Sequence, residues 1–130
     1  MTTTIDWRAR AASLKFRNGL YIDGGFRDAA QGGRFETVNP ANAQVLTAVA
    51  RGTAEDIDAA VASARRAFED GRWSGKSPAE RKAVLLRLAA LIRENVPELA
   101  LLDTLDMGKP ISDSSTIDAP GSAHFFEWHA

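Results

Sequence analysis

The hydrophobic pattern changes its period once along the chain, near residue 53. Before that point, three short runs of β-branched, aromatic and aliphatic residues lie between turn signals: 20–22, 35–38 and 45–49. The first run is followed by Asp23-Gly24-Gly25, which is a hairpin signal. The second stops at Asn39-Pro40, because proline has no N–H to donate to a ladder. We predict that residues 18–52 form a small antiparallel sheet.

A short amphipathic helix is predicted before the strands, over residues 6–17 within an N-terminal segment 1–17. Trp7, Ala11 and Leu14 follow at i, i+4 and i+7, which places them on one helical face. The segment is mildly basic, as a targeting presequence or an exposed helix would be. No apolar run approaches the ~18 residues of a membrane span. We expect a cytoplasmic protein with no membrane contact.

The first helix after the change of period is predicted from Thr53, its expected N-cap, to Gly71, a C-terminal glycine. Its apolar stripe consists of Ile57, Val61, Ala64 and Phe68. The first turn is acidic and contains Glu55, Asp56 and Asp58. We interpret these acids as partners of the helix dipole on a solvated face, with a catalytic cluster as the alternative.

Two or three further helices are predicted before the end of the chain. Ser77-Pro78-Ala79-Glu80 is a capping box with proline at the first helical position. Pro97 opens the next helix, and Gly108 with Pro110 ends it. Its predicted buried positions are Leu99, Leu102 and Leu105. Thr116 is a candidate N-cap for a last helix. That helix ends in three aromatic residues, Phe125, Phe126 and Trp128.

Composition agrees with one globular domain. The order of the predicted elements, with the sheet at 18–52 and helices over 53–130, indicates the α+β class. The chain has 130 residues, of which 45% are hydrophobic and 25% charged. Its net charge of -1 gives no electrostatic basis for binding nucleic acid or an anionic membrane. The apolar stripes of the helices would be exposed wherever no sheet covers them. We therefore expect poor solubility or a molten state for the isolated chain.

The residues offer little catalytic chemistry. The sequence has no cysteine, which excludes disulfides, cysteine metal sites and a thiol nucleophile. It also lacks the GxSxG, GxGxxG and GxxxxGK[ST] motifs. His124 and His129 are five residues apart, which does not place two ligands on one helix face. We interpret them as polar positions on a terminal helix, with a metal site as the alternative.

Asp106 is the one carboxylate that the helix pattern does not explain. It falls in the last turn of its predicted helix, where the dipole disfavours a negative charge. A basic partner, a bound cation or solvent would each compensate that charge. Residue chemistry alone leaves these three alternatives open.

The order of the elements and several strings resemble the N-terminal part of the aldehyde dehydrogenase superfamily. The resemblance covers essentially the whole chain, in the order LYIDGGF, FETVNPANAQVL, AEDIDAAVASARRAF, GRWSGKSPAERKAVLLRLAALI and LALLDTLDMGKPISDSSTIDAPGSAHFFEWHA. FETVNP and TLDMGKP are the most specific of these strings. The early segment is most similar to gamma-glutamyl-aminobutyraldehyde dehydrogenases, and next to betaine aldehyde dehydrogenases.

The resemblance implies an NAD- or NADP-dependent oxidation of an aldehyde to a carboxylic acid by a homo-oligomer, a dimer or tetramer. In the family a cysteine thiolate attacks the aldehyde and a glutamate activates water. Those residues, the nucleotide-binding strands and the oligomerisation strands all follow the matched region. The chain is therefore expected to be an N-terminal fragment of the nucleotide-binding domain region that is inactive alone. No catalytic and no cofactor-binding residue is assigned to it.

The resemblance also implies a structural monovalent cation, potassium or sodium. Its ligands would be Thr37 and Val38, through backbone or hydroxyl oxygens, and Asp106 through its carboxylate. Oxygen ligands suit a hard cation. The remaining ligand of the family lies beyond Ala130. A bound cation would supply the compensation that Asp106 needs.

Two other interpretations stay open at this point. The chain could be a standalone, non-enzymatic truncated module that associates with full-length subunits through its exposed aromatic residues. A downstream continuation of the reading frame would argue against that. It could also be an unrelated small helical binding domain, which a joint alignment of FETVNP and TLDMGKP with the family would exclude.

Overall fold

The structure is a computed structural model that describes residues 5–130. The elements in chain order are α1 (Trp7–Ser13), β1 (Leu20–Ile22), β2 (Gly25–Arg27), β3 (Arg34–Val38), β4 (Val45–Ala50), α2 (Ala54–Glu69), α3 (Pro78–Glu94), α4 (Val96–Met107), α5 (Ile111–Asp113), a π-helical turn (Ser114–Asp118) and α6 (Ala119–His129). Antiparallel strands precede a run of helices, and the predicted α+β class is confirmed.

The strands form two separate hairpins, where we predicted one sheet. β1 pairs with β2, and β3 pairs with β4, both antiparallel. Asp23 and Gly24 form the predicted tight turn of the first hairpin, with φ of 55° and 80°. The sequence pattern missed β2 because all three of its residues are exposed, so it carries no alternation of buried and exposed positions.

Helix α1 is shorter than the predicted 6–17. Asp6 caps it, because its carboxylate accepts hydrogen bonds from the backbone N–H groups of Arg8 (3.1 Å) and Ala9 (3.0 Å). Leu14 leaves the helix with φ -66° and ψ 132°, so the helix ends at Ser13. Residues 1–4 of the predicted N-terminal segment lie outside the described residues.

The predicted boundaries of the next three helices are confirmed. In the capping box of α3, the Ser77 N–H donates to the Glu80 carboxylate at 2.8 Å, and the Glu80 N–H donates to the Ser77 hydroxyl at 3.3 Å. α2 is followed by Gly71 in the left-handed region, and α4 by Gly108 with φ 80°. Both glycines stand where they were expected.

Alanines, not leucines, lie between the C-terminal helices. Ala89 of α3, Ala100 of α4 and Ala123 of α6 are each at most 1% exposed, and Leu101 is also buried. The predicted burial of Leu99 is wrong, because it is 39% exposed, and Leu102 and Leu105 are only half-buried. Small side chains at the contacts let helix axes approach closely, which leaves the larger residues at the rim.

The apolar stripe of α2 has no partner among residues 5–130. Ile57, Val61 and Phe68 are each at least 60% exposed. Trp128 on α6 is 76% exposed. The expectation that helix stripes would be left uncovered agrees with these values. The expected molten state or poor solubility stays a prediction.

The helical structure of the C-terminal segment starts before Thr116. It begins at Ile111 and runs through a π-helical turn into α6. Thr116 is therefore not an N-cap, and its hydroxyl instead donates to the Ser112 carbonyl at 2.7 Å. The Ala119 N–H donates to the Ser114 carbonyl, five residues back. Pro120 has no N–H to continue the α-helical ladder at this point, which favours the wider turn.

None of the helices within residues 5–130 combines the length and the apolar character that crossing a bilayer requires.

A candidate cation site between strand β3 and helix α4

Thr37 and Asp106 line one cleft between the β3–β4 hairpin and α4. The cleft has a volume of about 530 Å³. Its polar lining consists of Arg17, Thr37, Thr47, Glu98, Asp103 and Asp106. Val38, the third predicted ligand, follows Thr37 along β3 but is not among the lining residues. The structure thus brings two of the three predicted residues together and places the third beside them in sequence.

Asp106 lies where a cation would be favoured. It is exposed, it belongs to the last turn of α4, and that turn contains no basic residue. The helix dipole adds negative potential at this end. Within residues 5–130, Asp106 forms no salt bridge with a basic side chain. Arg17 lines the same cleft, so a basic partner, a bound cation and solvent all stay open as the compensation of Asp106.

The β3–β4 ladder is irregular where the other two candidate ligands lie. Thr37 pairs with Thr47 and Val38 with Val45, so Leu46 is an extra residue on β4. A bulge of this kind disrupts the regular alternation of ladder hydrogen bonds. The irregularity thus lies at the two residues whose oxygens are candidate ligands.

The donor set suits a hard monovalent cation. It consists of backbone or hydroxyl oxygens and one carboxylate, with no nitrogen or sulfur. Over residues 5–130, no group of three or more His, Cys, Asp or Glu side chains is arranged to hold a metal ion. His124 and His129 are both exposed, and His124 Nδ1 lies 3.9 Å from the Glu127 carboxylate. The residues present fit a potassium or sodium ion.

A second cleft, of about 560 Å³, contains a polar cluster for which the sequence carries no motif. The Ser114 hydroxyl donates to the Asp103 carboxylate at 2.6 Å, and Lys109 Nζ lies 2.6 Å from the Asp118 carboxylate. The hydrogen bond to Asp118 raises the pKa of Lys109. No motif marks these pairs in the sequence, because the π-helical turn brings them together.

Glu55 and Asp58 are exposed, as expected for a solvated face, but Asp56 is not, and for this residue the interpretation is wrong. It is 3% exposed. Its carboxylate accepts from the Thr53 N–H (2.9 Å), the Thr53 hydroxyl (3.0 Å) and the Ala30 N–H (3.0 Å). The hydrogen bond from the Thr53 backbone, followed by that from Ala30, lowers the pKa of Asp56. The spacing Thr53-x-x-Asp56 was the available signal, because it is that of a capping box.

The sequence model of the aldehyde dehydrogenase family matches residues 26–130. This chain therefore belongs to the aldehyde dehydrogenase family, as the resemblance implied. The alternative of an unrelated helical binding domain is wrong.

Two individual aldehyde dehydrogenases align with nearly the whole of this chain. The chain is 51% identical to the aminoacetaldehyde dehydrogenase of Pseudomonas aeruginosa over 125 residues, which are 96% of this chain and 25% of that protein. It is 48% identical over 124 residues to the NADP/NAD-dependent aldehyde dehydrogenase PuuC of Escherichia coli, covering 95% of this chain and 25% of the relative. The chain thus spans about a quarter of the length of these relatives.

Solved structures contain the same fold. The gamma-glutamyl-gamma-aminobutyraldehyde dehydrogenase of Burkholderia cenocepacia matches with a TM-score of 0.93 and 53% identity, over 95% of this chain and 25% of that one. An indole-3-acetaldehyde dehydrogenase solved in complex with NAD+ matches with a TM-score of 0.93 and 47% identity, with the same coverage. The described residues thus form a conformation that is found within chains about four times as long.

Proposed function

We propose that this chain is the N-terminal part of an NAD- or NADP-dependent aldehyde dehydrogenase that oxidises an aldehyde to a carboxylic acid. The observation that carries the proposal is the match over 95% of the chain to dehydrogenase structures at a TM-score of 0.93. The proposed parent is a cytoplasmic homo-oligomer, a dimer or tetramer. Residues 1–130 would belong to its nucleotide-binding domain region.

The chain alone is proposed to be inactive. Its sequence contains no cysteine to attack an aldehyde. When bound, NAD or NADP supplies the hydride acceptor, and no residue of this chain is assigned to hold it. The contribution of these residues is structural: they pair β3 with β4 and present Asp106 at the end of α4.

The proposed substrates are aldehydes that carry an amino or acylamino group. Two of the most similar proteins bear the names of such substrates, aminoacetaldehyde and gamma-glutamyl-gamma-aminobutyraldehyde. This supports the substrate class for the parent enzyme.

The proposed structural role includes a monovalent cation held by Thr37, Val38 and Asp106. Three observations support it: the cleft shared by Thr37 and Asp106, the bulge at Thr37 and Val38, and the absence of a basic residue from the last turn of α4. The cation would neutralise a carboxylate at the negative end of α4 and tie that helix to β3.

A chimera tests the function most directly. This chain would replace the matching quarter of the P. aeruginosa relative, and the product would be assayed with aminoacetaldehyde and either NAD or NADP. The expected result is aldehyde-dependent formation of NADH or NADPH by the chimera and none by the 130-residue chain. A folded, oligomeric chimera without activity would contradict the family role, and turnover by the purified short chain would contradict its inactivity.

A second function, association with full-length subunits as a non-enzymatic module, is favoured by the exposed stripe of α2 and by Trp128. Immunoprecipitation from source cells, using an antibody against α2, separates the two proposals. A product several times heavier than 14.0 kDa supports the enzyme, and a 14.0 kDa product bound to dehydrogenase subunits supports the module.

A further inference from the structure

Gly108 and Pro40 meet where α4 and the turn after β3 come together. A Cβ atom at position 108 would lie 2.9 Å from Pro40 Cγ, closer than carbon atoms approach each other without displacement. Gly108 also has φ 80°, which is unfavourable for any residue with a side chain. Position 108 therefore excludes a side chain for two independent reasons, one of them specific to Pro40.

Pro40 cannot retreat alone from such a side chain, because the turn that carries it is held by its own hydrogen bonds. The Asn39 N–H donates to the Gln44 carbonyl at 2.9 Å, and the Ala43 N–H donates to the Asn39 carbonyl at 2.8 Å. The buried Asn39 side chain accepts from the Ala41 N–H at 2.9 Å. A push on Pro40 is therefore transmitted to the whole turn and to the end of β3.

The contact lies at the same offset from both halves of the candidate cation site. Pro40 follows Val38 by two residues, and Gly108 follows Asp106 by two residues. We propose that Gly108 is a positioning residue for the cation site, because its missing side chain sets how closely the end of β3 approaches Asp106. This inference rests on the cation site proposed above. It assigns Gly108 no contact with the ion.

The expected effect of a side chain at this position is a loss of cation affinity. Gly108→Ala moves the β3 turn away from α4 and separates Thr37 from Asp106. Affinity is expected to fall by about 10-fold, the lower end of what residues that orient metal ligands typically contribute. Removing the opposing ring atom, in the double variant Gly108→Ala/Pro40→Ala, should recover most of the affinity.

The experiment is a potassium chloride titration of the chimera described under Proposed function, which supplies the rest of the enzyme and is called the wild type below. The thermal unfolding midpoint is followed, because a cation that binds the folded state raises this midpoint as its concentration increases. Choline chloride at equal ionic strength is the salt control. Gly24→Ala is the matched variant, since Gly24 has the same φ of 80° but no atom within 4 Å of the added Cβ. Gly24→Ala therefore introduces the same backbone strain without a steric clash. Pro40→Ala alone opens the contact from the other side and should weaken binding without strain at 108.

The outcomes separate the positioning role from the site itself. If Gly108 positions the site, the wild type responds to potassium and Asp106→Asn abolishes that response. Gly108→Ala weakens the response and the double variant restores it. Gly24→Ala leaves the response unchanged. A wild-type response that Gly108→Ala and Pro40→Ala both leave unchanged overturns the positioning role alone. Equal losses in Gly108→Ala and the double variant also overturn it, because strain would then suffice. A wild type that responds equally to potassium and choline overturns the cation site and, with it, this role of Gly108.

Discussion

The hydroxyl of Ser114 donates a 2.6 Å hydrogen bond to the carboxylate of Asp103, and it does so from a completely buried position. This bond joins the π-helical turn to α4. Because the acceptor is a half-buried carboxylate, its loss leaves a charged group without a partner. The pair therefore matters more for stability than the many exposed ion pairs of the chain.

Ser114→Ala is expected to lower the free energy of unfolding by about 1–3 kcal/mol, because it removes a hydrogen bond to a charged, half-buried acceptor. Urea denaturation followed by far-ultraviolet circular dichroism measures it. Ser122→Ala is the control, since Ser122 is exposed and donates only to the Asp118 carbonyl one turn earlier. Equal changes in the two variants would show that the bond to Asp103 contributes nothing specific.

The buried carboxylate of Asp56 is expected to make stability depend on pH in the acid range. Its pKa in the folded chain lies below the ordinary value of 3.8, because the Thr53 and Ala30 N–H groups bind the ionised form. Its stabilising contribution is full above 3.8 and is lost as the pH falls through the lower folded-state pKa. Asp56→Asn should thus be less stable than the wild type at neutral pH, with a difference that shrinks in acid.

Denaturation midpoints of both proteins across this pH range test the sign of the effect. Asp58→Asn on the same helix is the control, since Asp58 is exposed. A gap between wild type and Asp56→Asn that stays constant with pH would contradict ionisation as its source.

The uncovered stripe of α2 is expected to bind hydrophobic dyes. Ile57→Gln with Phe68→Gln should reduce the fluorescence of bound anilinonaphthalene sulfonate, because both side chains are mostly exposed. Stability should change by less than about 0.5 kcal/mol per site, as for surface positions. Leu101→Gln, at a buried position, should instead increase dye binding through unfolding. Unchanged dye binding in the α2 variant would show that the dye binds to a surface other than the α2 stripe.

The capping box of α3 is expected to contribute measurably. Ser77→Ala removes the acceptor of the Glu80 N–H and should cost about 1 kcal/mol of stability. Ser77→Asp keeps an acceptor at the N-cap and should retain most of that stability. Thermal unfolding of the three proteins gives the comparison, and an Asp variant as unstable as the Ala variant would argue against capping.

Local signals in the sequence were enough to place the helix boundaries, since caps and glycines act within a few residues. Ser77-Glu80 and Gly108 fall where the pattern required. Burial could not be predicted in the same way. Whether Leu99 or Leu101 faces a neighbouring helix depends on which helices meet, and the buried alanines mark those contacts without any hydrophobic periodicity.

The candidate site also has parts that could be predicted from the sequence and parts that only the structure shows. The resemblance supplied Thr37, Val38 and Asp106, and the structure places Thr37 and Asp106 on one cleft. The contact between Gly108 and Pro40 could not be anticipated, because it joins residues that are 68 positions apart in sequence and depends on how closely the Pro40 ring approaches the Gly108 backbone. The buried role of Asp56 was missed for a similar reason: Ala30, one of its donors, lies 26 residues away.

The π-helical turn determines where this part of the chain can change its length. A turn of 3.6 residues means that removing one residue from a regular helix rotates everything beyond it by about 100°. Within Ser114–Asp118 the backbone already accommodates one residue more than an α-helical turn does. Deleting one of the exposed residues there would restore a regular turn and leave α6 facing α3 as before. A deletion after Ala119 would instead turn Ala123 away from that contact.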